Sequence, residues 1–303
     1  MLYNRRKIIL ALLDAFGGTL NKISIQKLLF LFTRNQADKC FDFLPYKFGC
    51  YSFQLNQDLH TLKNYGYIEE KNDDYQLSGL NSEITINLFD NQILNQIKKD
   101  FINYTTEDLI RYTYQKYPYY AINSTIITDD RVGLSKDEIK KILEQKKDIL
   151  KKYKNMSCVF SFGYEGVSLE KYINYLIIYN VKVLCDVRKN AFSQKYGFSK
   201  ATLQNACEGV GIQYIHIPDL GIESNQRQNL LSQKDYDILF EYYKKHTLPN
   251  NTNAFNYLTD IIRRNSRVVL TCFERDPKQC HRTVILDKLK SLNFNTQNII
   301  LNT

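Results

Sequence analysis

Between residues 158 and 289 short β-branched runs alternate with longer stretches of helical periodicity, and this alternation constrains the fold more than any other feature of the sequence. Cys158-Val-Phe-Ser-Phe, Val181-Lys-Val-Leu-Cys, Gln213-Tyr-Ile-His-Ile and Arg267-Val-Val-Leu-Thr-Cys-Phe read as strands. Residues 168–179, 199–210, 234–245 and 255–264 between them space their apolar side chains as helices do. Strand–helix–strand order needs crossover connections, so the strands are expected to lie mostly parallel, with helices on both faces. The fold class is therefore α/β in this half of the chain.

At 303 residues the chain is about twice a usual domain, and three zones can be distinguished. Residues 1–80 read as a compact unit of three helices and a hairpin. Residues 81–154 form a polar helical connector, and 155–303 the α/β domain. A 44% hydrophobic composition excludes wholesale disorder and collagen-like repeats. Seven cysteines, an odd number without any Cys-x-x-Cys pair, suit a reducing, cytoplasmic setting. No stretch approaches the roughly 18 apolar residues that cross a bilayer, so no membrane partner is expected. The net charge of +9 is compatible with a polyanionic partner.

In the first zone Ile8, Ile9, Leu12, Leu13 and Phe16 share a helical face, and Gly17-Gly18 ends it. Ser24 is the expected cap of a second helix, and Ser52 or Phe53 begins a third that Gly66 closes. Pro45 and Gly49 mark a connection, and the runs around Asn72-Asp73-Asp74 form a hairpin. Three helices and a hairpin describe a winged helix-turn-helix, whose third helix can enter the major groove of DNA. Gln54, Asn56, Gln57, His60, Lys63 and Asn64 are its candidate reading face, since amides pair with adenine edges and lysine reaches guanine or phosphate. Ten basic against eight acidic residues in 1–80 leave only +2, and Glu69, Glu70, Asp73 and Asp74 in the hairpin oppose phosphate. Protein docking and a homodimer stay open for such a domain. Gln26-Lys-Leu-Leu-Phe-Leu resembles a winged-helix segment found fused to other prokaryotic domains. In the connector, the lysine-rich run from Lys140 to Lys152 reads as a solvated helix.

In the α/β domain a polar cluster follows each strand: Gly163-Tyr164-Glu165-Gly166, Asp186-Val187-Arg188, Tyr214 and His216 with Pro218-Asp219-Leu220-Gly221, and the segment from Cys272 through Glu274 and Pro277 to Cys280-His281-Arg282. Open α/β sheets bind ligands at the carboxyl ends of their strands, which makes this rim the expected site. Asp186, Glu165 and Glu274 are the candidate catalytic carboxylates, able to stabilise a cation or activate water. For Asp186 an ion pair with Arg188 is the structural alternative. Arg188 and Arg282 suit phosphate, Tyr164 could stack on a base, and Tyr214, His216, Cys280 and His281 complete the candidate substrate-binding set. A packing role is open for His216, and thiol chemistry for Cys280. Cys272, Cys280 and His281 invite zinc, but Cys280 and His281 are adjacent and no Cys-x-x-Cys pair accompanies them, so neither metal nor cofactor is expected.

Together these motifs resemble the DUF488 family, over a stretch from about Cys158 to Leu289. The resemblance implies the fold and the location of the site. It also implies kinship with prokaryotic gene clusters concerned with foreign or modified DNA, hence antiviral defence. The expected function is action on nucleic acid, DNA above all, by cleaving the N-glycosidic bond of a modified base, as a DNA glycosylase hydrolase does. The alternative is a non-catalytic DNA-binding regulator that senses a small anionic ligand.

Overall fold

The computed structural model describes residues 2–79, 84–152 and 156–300. Two compact units divide the chain, Met1–Asp148 and Ile149–Thr303. The zone boundaries expected after residues 80 and 154 lie outside the described residues.

In the first unit α1 (Asn4–Ala15) buries Ile8, Ile9, Leu12 and Leu13. It stops where Gly17 and Gly18 take φ of 88° and 85°, with the Gly18 amide returning to the Leu13 carbonyl. A short strand β1 (Thr19–Asn21), absent from the sequence reading, precedes α2 (Lys22–Arg34). The cap of α2 is Asn21 rather than Ser24: its side chain accepts from the Ile23 amide at 2.9 Å, while Ser24 lies inside the helix, bonded to the Thr106 hydroxyl. The connection marked by Pro45 and Gly49 is itself a hairpin, β2 (Leu44–Tyr46) with β3 (Gly49–Tyr51). Ser52 caps α3 (Phe53–Asn64) as expected. The second hairpin, β4 (Ile68–Lys71) and β5 (Asp74–Leu77), turns through Asn72 and Asp73, both with positive φ. β1 joins it to give an antiparallel sheet in the order β1-β5-β4.

The polar zone that follows contributes α4 (Leu88–Phe101), α5 (Thr106–Lys116), a helical turn at Pro118–Ala121 and α6 (Lys136–Lys152). Ile93, Leu94, Ile97, Phe101 and Leu109 from α4 and α5 share one core with the apolar faces of α1, α2 and α3. α6 buries only Ile142, as a solvated helix should.

The second unit is a five-stranded parallel sheet of β6 (Cys158–Gly163), β7 (Val183–Asp186), β8 (Gln213–His216), β9 (Arg267–Cys272) and β10 (Thr296–Asn298), in the order β10-β6-β9-β7-β8. The intervening helices are α7 (Leu169–Ile178), α8 (Lys200–Glu208), α9 (Gln233–Tyr242), a wide turn at Tyr243–Thr247, α10 (Leu248–Asn250), α11 (Thr252–Arg264) and α12 (Arg282–Ser291). Alternate residues serve opposite faces. Val159, Val183, Val268 and Leu270 pack against Leu258, Ile262, Ile285 and Leu289 of α11 and α12, whereas Phe162 stacks on Tyr172 of α7. The strand β10, three polar residues, carried no sequence signal.

One buried charge ties α1 to α3. Asp58 is fully buried and takes hydrogen bonds from Arg5 and from Arg6 Nε, the latter at 2.7 Å. Asp58→Ala leaves Arg5 and Arg6, both half-buried, without this counter-charge, and it should lower the unfolding free energy by about 2 kcal/mol. A urea titration followed by circular dichroism measures this, and an unchanged midpoint contradicts it.

Candidate functional site

Strand register assembles the rim. Gly163 lies beside Cys272, and Asp186 lies between Thr271 and His216, so the carboxyl ends of β6, β9, β7 and β8 stand side by side. The loops they launch enclose a cavity of about 370 Å³, walled by Tyr164, Arg188, Lys189, Phe192, Lys195, Arg227, Cys272, Phe273 and His281 among others.

Asp186 sits beneath this cavity with no exposed surface, and its carboxylate is fully engaged. Oδ1 accepts from the Arg188 amide at 3.1 Å and from Nε at 2.8 Å; Oδ2 accepts from Arg188 Nη2 at 2.5 Å and from the Tyr214 hydroxyl at 2.6 Å. Arg188 Nη1 donates to the Tyr164 hydroxyl at 2.7 Å and to the Phe198 carbonyl at 2.9 Å. This is the ion pair weighed as the structural alternative for Asp186. It also occupies Arg188, and burial followed by the Asp186 charge raises the Tyr214 phenol. Tyr164 is stacked on Phe198 at 4.2 Å, so one face of its ring is taken. His216 is half-buried and its Nε2, bonded to the Arg188 carbonyl at 2.9 Å, holds the turn after β7.

The other expected residues gather after β9. The Cys272 sulfur is 3.1 Å from Glu274 Oε2, and the other oxygen of Glu274 pairs with Arg227 Nη2 at 2.9 Å. Burial pushes the Glu274 carboxyl up, with a contribution from the charge on Cys280. Arg282 donates from Nε to the Cys280 sulfur at 3.0 Å and from Nη2 to the Glu274 carbonyl at 2.6 Å, while its Nη1 is buried with no hydrogen-bond partner. Burial alone would raise Cys280. The Cys272 hydrogen bond, the Arg282 charge and His281 outweigh it and hold this thiol well below its ordinary value. His281 Nε2 bonds to the Val187 carbonyl at 3.0 Å, joining the start of α12 to the end of β7. Cys272, Cys280 and His281 bring their ligand atoms within 4.8 Å of one another, so among the described residues these side chains could hold a metal ion.

Glu165 stands apart. It is exposed, takes the Arg275 amide at 3.0 Å and is not part of the cavity wall. Asp186, His281 and Glu165 thus belong to one rim, but neither Asp186 nor Glu165 faces the cavity. Gly163 has an ordinary φ, and its importance is close approach: a Cβ there would meet the Glu274 carbonyl oxygen at 1.8 Å. Gly166, at φ 74°, is the position that needs a left-handed conformation.

Sequence reasoning missed Lys189, Phe192, Lys195, Arg227 and Phe273. Lys189 directly follows the Asp186-Val187-Arg188 motif, and Phe273 lies inside the last motif between Cys272 and Glu274, so both were within reach. Phe192, Lys195 and Arg227 come from loops without periodicity, and no local signal marks them.

On α3, Gln57, His60, Lys63 and Asn64 are exposed along one side, and Gln54 and Asn56 are half-buried. Lys63 is paired with Glu70 at 2.7 Å, and Lys22 pairs with both Glu70 and Asp73. Lys71 pairs with Glu69 at 3.0 Å, so three of the four hairpin acids have a cationic partner within the unit itself.

Residues 168–289 match the family model DUF488, a domain of unknown function, so the second unit carries a DUF488 domain. The match begins after the Gly163–Gly166 turn and ends within α12. No curated protein matches the chain. Among the described residues no helix is long and apolar enough to cross a membrane.

Asp186→Asn should expose how much of this rim is architecture. The substitution leaves the Arg188 guanidinium, only 6% exposed, without its counter-charge, at a cost of about 3 kcal/mol. Denaturant unfolding read by tyrosine fluorescence (the chain has no tryptophan) tests this, and full stability would reopen a catalytic role for Asp186.

Proposed function

We propose that this protein acts on nucleic acid, with the DUF488 cavity receiving a nucleotide and the first unit engaging the polymer. The observation that carries the reading is the composition of one wall: Lys189, Lys195 and Arg227 supply positive charge, while Phe192 and Phe273 supply exposed ring faces. Cations beside stackable rings are what a base bearing a phosphate needs, and an apolar metabolite would need neither. Lys195 is anchored by the Tyr164 carbonyl at 2.7 Å, so its charge is held in place, although burial lowers its pKa. Lys189 is shared with Glu223 at 3.0 Å, and Arg227 with Glu274, so the wall selects an anion that outcompetes an existing carboxylate partner.

Hydrolysis of an N-glycosidic bond is the proposed reaction. Glu274 is the candidate carboxyl for it, because it contacts two cavity-wall residues, Cys272 and Arg227, and Asp186 is already spent on Arg188. For the first unit, the order α1-β1-α2-β2-β3-α3-β4-β5 with a β1-β5-β4 sheet supports a winged helix that carries an extra hairpin between its second and third helices, and the exposed side of α3 supports docking against DNA. The chain's net charge of +9 adds non-specific affinity.

The complete neutralisation of Asp186 favours a second reading, a DNA-binding regulator whose cavity senses an anionic ligand without turnover. The two separate in one assay. Modified, phage-type DNA is incubated with the protein, and released base and abasic sites are counted. Base release supports hydrolysis; DNA affinity that shifts with added nucleotide while base content stays constant supports the regulator. In either case Phe192→Ala, at a position 71% exposed, should weaken binding of a short single strand by about tenfold without altering stability. Fluorescence anisotropy measures it, and unchanged affinity would remove the cavity from the nucleic-acid path.

A further inference from the structure

We infer that Cys272, Cys280 and His281 form the binding site of a single zinc ion. The objection from sequence was spacing, since two of the ligands are neighbours and no Cys-x-x-Cys pair accompanies them. Folding removes it. β9 ends at Cys272, the helical turn Pro277–Gln279 brings the chain back, and the three donor atoms come within 4.8 Å of one another. The Cys280 sulfur is 3.8 Å from His281 Nδ1. Zinc–sulfur and zinc–nitrogen bonds of about 2.3 and 2.0 Å, meeting at a tetrahedral angle, place such a pair about 3.6 Å apart.

The imidazole is already set for ligation. A carbonyl oxygen only accepts, so the 3.0 Å contact with Val187 fixes the proton on Nε2 and leaves the Nδ1 lone pair on the sulfur side. Arg282 Nε, 3.0 Å from the Cys280 sulfur, supplies the outer hydrogen bond that a zinc-bound thiolate accepts. All three ligands are buried, and two thiolates balance the charge of the ion while their protons leave on binding. Cys272 and His281 also line the cavity, so the fourth coordination position opens toward it. Three protein ligands and an open position are the arrangement of catalytic zinc, which lowers the pKa of a bound water. That last consequence rests on the nucleotide reading of the cavity; the binding of zinc does not.

The full-length chain, purified with reductant and without chelator from zinc-supplemented cells, should hold about one zinc per molecule by plasma mass spectrometry. It should release that zinc to a mercurial thiol reagent. After zinc removal, Co²⁺ alone should produce a thiolate-to-cobalt charge-transfer band in the near ultraviolet. A His281→Ala chain with the parent's circular dichroism should bind Co²⁺ at least about tenfold more weakly. Trace zinc in the parent together with no charge-transfer band overturns the site, whether or not any variant folds. A folded Cys272→Ser/Cys280→Ser chain that keeps stoichiometric zinc overturns it as well. Stoichiometric zinc lost in that double variant, beside absent base release from DNA, would sustain the metal site and defeat only the hydrolytic reading.

Discussion

A carboxylate sealed from water and saturated by donors is the contact on which the rim of the DUF488 domain depends. Asp186 ends β7, between β9 and β8 in the sheet. Through Arg188 it reaches the Tyr164 hydroxyl beyond β6 and the Phe198 carbonyl ahead of α8, and through Tyr214 it reaches β8. Ion pairs of this kind add little net stability, because desolvating both charges offsets their attraction. Losing one partner is costly, so the three loops keep a common geometry or the unit loosens as a whole.

Much of this architecture was readable because parallel sheets leave strong marks. Their strands are buried on both faces, so β6, β7 and β9 appear as mainly apolar runs separated by helical periods. The strand-end motifs placed Asp186, Arg188, Cys272, Cys280 and His281 at one rim; register brings Asp186 and Cys272 there, and hydrogen bonds to Asp186 and to the Val187 carbonyl bring Arg188 and His281. What could not be read was direction. A motif does not say whether a carboxylate points into a cavity or under it, and here Asp186 points under. In the first unit, β1 and the β2–β3 hairpin were missed because three-residue strands have too few alternations to show a period. The cap of α2 was displaced because Asn21 and Ser24 are both good capping residues, and the β1–β5 pairing selects the earlier one.

Charge follows the same lesson. An excess of +9 over the chain suggests a uniformly basic surface, yet at two places cations and anions are locally matched. Lys22, Lys63, Glu70 and Asp73 cancel across the β4–β5 hairpin, and Lys189, Glu223 and Asp219 do so near the cavity. At these two places attraction to a polyanion is then governed by the cost of exchanging partners. Such exchange makes binding selective for ligands that return both charge and geometry.

The narrow outer strands of the second unit have a consequence for its behaviour in a crowded solution. The central strands β6 and β9 are six residues long and wholly buried, the kind of segment that readily recruits a like segment from another molecule. They are flanked on one border by β10, three polar residues, and on the other by β8, whose four residues include a glutamine and a histidine. Among the described residues the borders are thus short, and they offer no long apolar ribbon for intermolecular pairing. These brief strands act as guards against sheet-to-sheet polymerisation.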